Sequence, residues 1–474
     1  MTANRRPRPA PDDRELRLWA VGRALALAFA TAVLVAGGIF YGLVQLLDVK
    51  EIDSTAKLDA NTLFDLVKLS FGVVAGAGAL VALVVAYRRQ RVDEAGAHRE
   101  ATRLHTERFS QAVDKLGSDS PAVRLGGVHA LAGLADDAPD TSLRQTCIDV
   151  LCAYLQLPFT PDPGNDPAHQ EEHHHYLALR KVRHTILRLI GDHYRRPQST
   201  HRSWQGCDLD LTGVTIDGDM DFSGAVFSGG NVSFDSAVFS GGTVSFDSAT
   251  FSDGAVHFES ATFSGSSVHF RGATFADGIV FFRDATFADG SMHFDGATFS
   301  GSDVSFESAT FAGGIVTFYD ATFADGIVFF RGATFAGGTV SFGGARFSGS
   351  DVPFRGATFT DGNVSFESAT FTNGTVSFNS TTFGGSTVSF NSAWFSGSDV
   401  PFRSATFTDG NVSFNSTTFA NGTVSFDSAT FTDGTVSFEG ATGPTPNGLF
   451  AALGSPNPLW VALPSAWRPS NPQH

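Results

Sequence analysis

Few side chains in this sequence have the chemistry to do more than pack. His169 stands four residues before His173, inside the run Glu171-Glu172-His173-His174-His175. On a helix that spacing presents imidazoles on one face, and imidazole is a common transition-metal ligand. A solvated, polar helix start explains the same run more simply, so no metal is assigned. His184 and His193 read as helix packing or capping. His269 and His293, 24 residues apart, read as two slots of one repeating column. Cys147, Cys152 and Cys207 lack zinc-type spacing, are too few for a disulfide framework, and fit a reducing compartment. No nucleophile with a base, phosphate loop or isolated carboxylate pair stands out, because the acids and amides recur with a repeat, whereas a catalytic site breaks one. The sequence therefore predicts a non-enzyme, with no catalytic, cofactor-binding or metal residues and no cofactor.

Binding chemistry is easier to find, as interruptions of a pattern. From 250 to 442 every twelfth residue is Thr except Arg346 and Trp394, and Tyr319, Pro353 and Pro401 break neighbouring columns. Aromatic and arginine side chains are the usual anchors of protein interfaces, so Trp394, Arg346 and Tyr319 are the candidate partner-binding residues.

The element that must position them is a solenoid. Phenylalanine falls at alternating spacings of five and seven without a miss across 37 positions from Phe222 to Phe438. The unit is twelve residues, as in Val244-Ser-Phe246-Asp-Ser-Ala249-Thr-Phe251-Ser-Asp-Gly254-Ala255. Val244 with Phe246, and Ala249 with Phe251, stand two apart, which predicts two short strands with both members of each pair facing inward. Val fills its column except at Met220 and Met292, and Ala its own except at Thr381 and Thr417. Polar corners rich in Gly, Asn and Asp supply the positive φ that sharp bends need. A parallel β-helix follows, with rungs about 4.8 Å apart and rings stacked along the axis.

The frames Ala273-Thr-Phe275, Ala333-Thr-Phe335 and Val268-His-Phe270-Arg-Gly272 resemble pentapeptide-repeat proteins. That resemblance implies a right-handed quadrilateral β-helix with four five-residue faces per coil; this chain departs from it by two extra residues in every second corner. The coil is then 24 residues with four faces, or a flattened 12 with two. Stacking at 12 sets like charges together down the column Asp235, Asp247, Glu259, Arg271, Arg283, Asp295, Glu307. Stacking at 24 pairs Asp247 with Arg271, Arg271 with Asp295, Glu259 with Arg283, Arg283 with Glu307, and Glu307 with Arg331. Opposite charges on adjacent strands contribute about 0.2–1 kcal/mol and like charges oppose pairing, so 24 is favoured, giving about ten coils over roughly 50 Å.

The N-terminal third is different. Residues 24–47 and 69–87 carry no charge and are long enough to cross a bilayer as helices. Six arginines precede the first and Arg88, Arg89 and Arg91 follow the second, which places both termini on the cytoplasmic side. Gly38 with Gly42 and Gly72 with Gly76 form small-residue frames that offer a route to helix pairing or homo-oligomers. The expected order is a basic N-terminus (1–23), a first span (24–47), an extracytoplasmic loop (48–68), a second span (69–87), a cytoplasmic helical domain and linker (88–203), the repeat domain (204–442), and a Pro-rich tail with a partial cap, then disorder (443–474). In the helical domain, Ser120-Pro121 and Thr141-Ser142 open two helices and a third runs from about Glu171 to Tyr194, placed to cover the first coil. The segment from Arg108 through Leu131, then Val182–His193 and the repeat, resembles actinobacterial membrane-anchored repeat proteins.

Charge completes the reading. From Trp204 to Gly443 there are 25 acidic residues against 6 arginines and no lysine, which excludes direct nucleic-acid binding of the phosphate-neutralising kind. The expected function is a non-catalytic, membrane-anchored scaffold or protein-interaction surface at the cell membrane, multi-pass, with the lipid bilayer and an unknown protein as partners. The alternative is an acidic DNA-mimic regulator of an enzyme such as DNA gyrase, because some pentapeptide-repeat proteins are acidic rods that occupy gyrase's DNA-binding saddle. The threonine file is similar to those of ice-binding proteins, but a cytoplasmic tether argues against ice.

Overall fold

The computed structural model describes residues 60–301, 303–454 and 461–468, with isolated positions between 27 and 42. The chain divides into two compact units, Met1–Arg103 and Leu104–His474.

In the first unit the dominant element is helix α1, Ala60–Leu116, whose last turns, from Leu104, belong to the second unit. The expected first span, 24–47, lies mostly outside the described residues. The expected second span, 69–87, is not a separate helix. The same helix runs on through Arg88 and Arg89 into charged sequence, where Gln90 bonds Glu94 and Arg103 bonds Glu100 one turn apart. Among the described residues no helix is long and apolar enough to cross a membrane.

The second unit opens with a helical module. Helix α2, Pro121–Asp136, starts at Ser120 with Pro121 in its first turn, where proline's missing N–H costs nothing. Helix α3, Thr141–Gln156, opens at Thr141 as the sequence suggests, and Asp140 caps it, accepting from the Leu143 N–H at 2.9 Å. Helix α4, Gln170–Tyr194, buries Val182, Ile186 and Ile190 completely. It closes the first coil as expected. At Gly191 a Cβ would stand 2.7 Å from the Asp221 carbonyl, so only glycine lets the helix sit this near. Beside it Arg195 Nε donates to the Ser223 carbonyl at 2.7 Å, and the Tyr194 ring meets Phe227 at 5.1 Å.

Beyond lies a parallel β-solenoid of about ten turns, and its register is 24. Thr262 pairs with Thr286 and Thr286 with Thr310; on another face Val268 pairs with Met292. Most coils present four three-residue strands, such as Thr250–Ser252, Ala255–His257, Thr262–Ser264 and Ser267–His269. The rings stack as the spacing predicts: Phe282 to Phe306 at 4.8 Å and Phe306 to Phe330 at 5.0 Å, each pair 3° from parallel. Thr381 and Thr417 replace alanine in the core and stay satisfied, each hydroxyl donating to a carbonyl at 2.8 Å.

The strands are offset from the expected pairs. Val244 sits mid-strand, but Phe246 and Ala249 open and close a tight turn through the Ala249 N–H to Phe246 carbonyl bond at 3.0 Å, with Ser248 at φ +56°. Both side chains still point inward and are fully buried. The charge pairs match in part. Arg283–Glu259 (2.6 Å), Arg271–Asp295 (3.7 Å) and Arg331–Glu307 (3.9 Å) form, whereas Asp247 Oδ1 accepts the Arg271 backbone N–H at 2.8 Å. At the far end Val461 pairs with Val436, and Trp467 covers Phe438 with ring centres 5.7 Å apart, which supplies the partial cap. Of the tail, 455–460 and 469–474 lie outside the described residues, while Val461–Ala462 forms a strand and Ser465–Trp467 a 3-10 turn where disorder was expected.

Candidate functional site

The repeat carries the three candidate partner-binding residues onto one part of the solenoid. Arg346 pairs with Thr322 on one side and Thr370 on the other, and Thr370 pairs in turn with Trp394. Arg346, Thr370 and Trp394 thus stand on three successive rungs of one face. Tyr319 sits at the corner leading into Thr322, one rung before Arg346. All three candidates are exposed, Trp394 by 51% and Tyr319 by 55%. Arg346 makes no ion pair among the described residues, although it stands in a strongly acidic solenoid.

Local sequence explains the placement. Beside Tyr319, one rung on, the corner residue is Gly343, where a Cβ would lie 3.2 Å from Tyr319 Cδ2; glycine there gives the ring its room. At Trp394 the usual corner is absorbed into a continuous eight-residue strand, Trp394–Pro401, paired along most of Thr370–Ser377. Two faces merge there into a wider sheet. Pro353 and Pro401 end their strands, where a missing N–H does least harm, and the pairing beside Pro353 shrinks to Ile327 with Asp351 alone.

The other candidates are scattered. His169 Nδ1 lies 2.9 Å from Glu172, and His173 Nδ1 lies 2.6 Å from Asp162, so these two imidazoles are each tied to a separate carboxylate. His169, Glu172, His175 and Tyr176 line a cleft of about 520 Å³ against the 158–163 linker. His184 joins α4 to the first coil through the Asp217 carbonyl at 2.8 Å. Burial pushes the Asp217 carboxyl up, but donation from His184 and Tyr176 and the charge of Arg180 outweigh it and hold it below its ordinary value. His193 stacks on Trp204 at 4.0 Å. Its Nε2 is 3.0 Å from Asp136 Oδ1, yet poorly aligned for a hydrogen bond; the contact is ionic at most, and Asp136 is held instead by Trp204 Nε1 at 3.1 Å.

His269 and His293 do occupy adjacent slots of one column, ring centres 5.1 Å apart. Burial first, and Arg271 second, lower both imidazoles from their ordinary value. Cys147 and Cys152 are pushed up to about 12 by burial, which leaves them unreactive thiols. One grouping escaped the sequence reading: Asp235, His257 and Glu259, with ligand atoms all within 4.8 Å of one another. The signal was present in the 24-residue stacking, which sets Asp235 against Glu259 without an arginine between them.

Fold and site together define a parallel β-solenoid repeat protein headed by a helical cap. A family described as pentapeptide repeats (9 copies) matches residues 325–370, the stretch that contains Arg346. The match supports the pentapeptide-repeat resemblance for the solenoid. No curated protein matches the chain.

Proposed function

We propose that this protein is a non-catalytic scaffold whose solenoid binds a protein partner through the Tyr319–Arg346–Trp394 face. The observation that carries the reading is that the 24-residue coil brings three breaks in separate repeats onto one part of the surface, Tyr319 one rung before Arg346 and Trp394 two rungs beyond it. An exposed indole, an exposed phenol and a guanidinium with no ion pair among the described residues, in an otherwise acidic, threonine-lined wall, suit a partner offering an apolar pocket beside a carboxylate.

Attachment to the cell membrane, with both termini cytoplasmic, belongs to the same proposal. Its support is the uncharged sequence at 24–47 and 69–87 and the exposed side chains of Leu69, Leu80, Leu83, Val84 and Tyr87 on α1; no described helix qualifies as a span by itself. Carbonate-resistant sedimentation of the full chain with membranes supports attachment, and release into the soluble fraction rejects it.

The partner reading is tested with the full chain as bait. Arg346→Thr and Trp394→Thr restore the residue the column otherwise carries, so folding is preserved. Capture of a partner by wild type and its loss from both variants at unchanged melting temperature is expected; equal capture by all three contradicts the reading. One observation favours a second reading, regulation of a nucleic-acid enzyme by DNA mimicry: the 25 acidic residues against 6 arginines between Trp204 and Gly443. Salt-sensitive capture of gyrase, indifferent to Trp394, would select it.

A further inference from the structure

In the first half of the solenoid acidic and basic residues alternate from rung to rung along the corner columns, as in Asp247, Arg271, Asp295 and in Glu259, Arg283, Glu307, Arg331, but the first pair of one column does not follow the pattern. Asp235 is followed one coil later by Glu259, and only then by Arg283. Beside this like-charged pair the strand Ala255–His257 ends on an imidazole, in a column that is otherwise Ser at 233, Phe at 281 and Ser at 305. One ligand atom each from Asp235, His257 and Glu259 falls within 4.8 Å of the other two, and all three residues are half-buried.

The second histidine-bearing corner makes the contrast. There His269 and His293 lie beside Asp247 and Asp295, with His269 Nδ1 4.0 Å from Asp247 and His293 Nδ1 3.5 Å from Asp295. Arg271 occupies the rung between those two carboxylates, paired with Asp295 at 3.7 Å. The place between the acids is therefore filled by a cation that belongs to the chain. Between Asp235 and Glu259 no such residue stands; Arg283 reaches Glu259 only from the following rung, and two carboxylates this close repel one another unless a positive charge lies between them.

The three donors are also braced from outside. The Glu259 N–H donates to Asp235 Oδ1 at 2.9 Å, which orients that carboxylate and leaves its other oxygen without a hydrogen-bond partner among the described residues. Arg283 holds Glu259 Oε1 at 2.6 Å while lying over the Phe281 ring at 4.7 Å. The same ring supports the His257 imidazole, centre to centre at 5.3 Å. One imidazole and two carboxylates held by partners behind them make a mixed nitrogen and oxygen donor set suited to first-row divalent ions. We propose that Asp235, His257 and Glu259 bind a divalent transition-metal ion of the zinc class, which staples adjacent coils at the start of the solenoid.

The full chain, stripped with chelator, is titrated with zinc chloride by calorimetry. Wild type is expected to show a binding event that His257→Ala and Asp235→Asn each weaken at least tenfold, while His269→Ser, at the arginine-filled corner, leaves it unchanged. Zinc should also raise the melting temperature of wild type and of His269→Ser but not of His257→Ala, and without metal Asp235→Asn, relieved of the carboxylate repulsion, should melt no lower than wild type. Asp235→Asn, nearly isosteric, keeps the test valid if the alanine variant disturbs the corner. Zinc uptake and melting in His257→Ala and Asp235→Asn indistinguishable from wild type overturns the proposal, whatever other histidines take up metal.

Discussion

Phe306 lies in mid-solenoid with none of its side chain exposed. Its ring is stacked on Phe282 and Phe330 at 4.8 and 5.0 Å and meets Phe294 and Phe318 edge-on at 5.7 and 6.1 Å. Phe306→Ala deletes a benzyl group whose neighbours cannot close in, since the backbone ladder fixes the rung spacing on both sides. The transfer loss and the residual cavity together set the cost at about 3–5 kcal/mol. Phe306→Leu keeps most of the volume and should cost no more than about 1.5 kcal/mol. Phe431, 8% exposed near the last coil, meets Phe407 and Phe426, whereas Phe306 also meets Phe311 and so has five ring partners; losing fewer aromatic pairs, Phe431→Ala should cost less than Phe306→Ala by at least about 0.5–1.5 kcal/mol. The assay is chemical denaturation of the full chain followed by circular dichroism, with hydrogen exchange at the neighbouring rungs, because long repeat arrays need not unfold in one step. Equal unfolding of wild type and Phe306→Ala would refute the buried position, and equal losses for Leu and Ala would refute the cavity as the cause.

Ser260 holds φ +57° at a turn where other units carry glycine; Ser260→Gly should relieve that strain and raise stability by up to about 1 kcal/mol, measured by thermal melting. His269 and His293 have folded values below their ordinary 6.5, so the unfolded chain binds protons more readily and stability present above that value declines as pH falls through the lowered folded values. Replacing both with Ser, the residue most common in their column, should flatten that part of the stability–pH curve. Asp217 is likewise depressed, from 3.8, and its contribution should persist at neutral pH and disappear as acid protonates it in the folded state. Asp217→Asn leaves Arg180 without its carboxylate and should cost about 1–3 kcal/mol, read as a lower denaturant midpoint.

Much of this architecture was legible before any coordinates. An unbroken aromatic rhythm leaves little freedom for a strand, and the alternation of Asp247, Arg271 and Asp295 distinguished 24-residue stacking from 12 through Coulombic pairing alone. The offset of the strands was not legible, because Phe246 and Ala249 are buried whether they belong to a strand or to a turn; burial is what the spacing encodes, and the deciding hydrogen bond is not. The start of α3 at Thr141 was legible, but not which residue caps it, since Asp140, Thr141 and Ser142 are all competent caps. Arg346, Trp394 and Tyr319 could be singled out as exceptions, but that they share a surface depends on the coil length. Asp235, His257 and Glu259 were overlooked because each looks ordinary within its own twelve-residue unit. Along α1 the uncharged run at 69–87 suggested a helix boundary at Arg88 where the backbone shows none.

The most direct test of the four-faced, 24-residue coil is site-directed cross-linking. Thr286 and Thr310 are registered partners on one face, whereas Thr298 pairs with Thr274 and Thr322 on another. In the full chain with Cys207→Ser, and with Cys147 and Cys152 buried and unreactive, Thr286→Cys/Thr310→Cys should oxidise to a disulfide, since adjacent rungs lie within bonding reach. Thr286→Cys/Thr298→Cys should stay reduced. A disulfide in the pair twelve residues apart, with none in the pair 24 apart, would contradict the account.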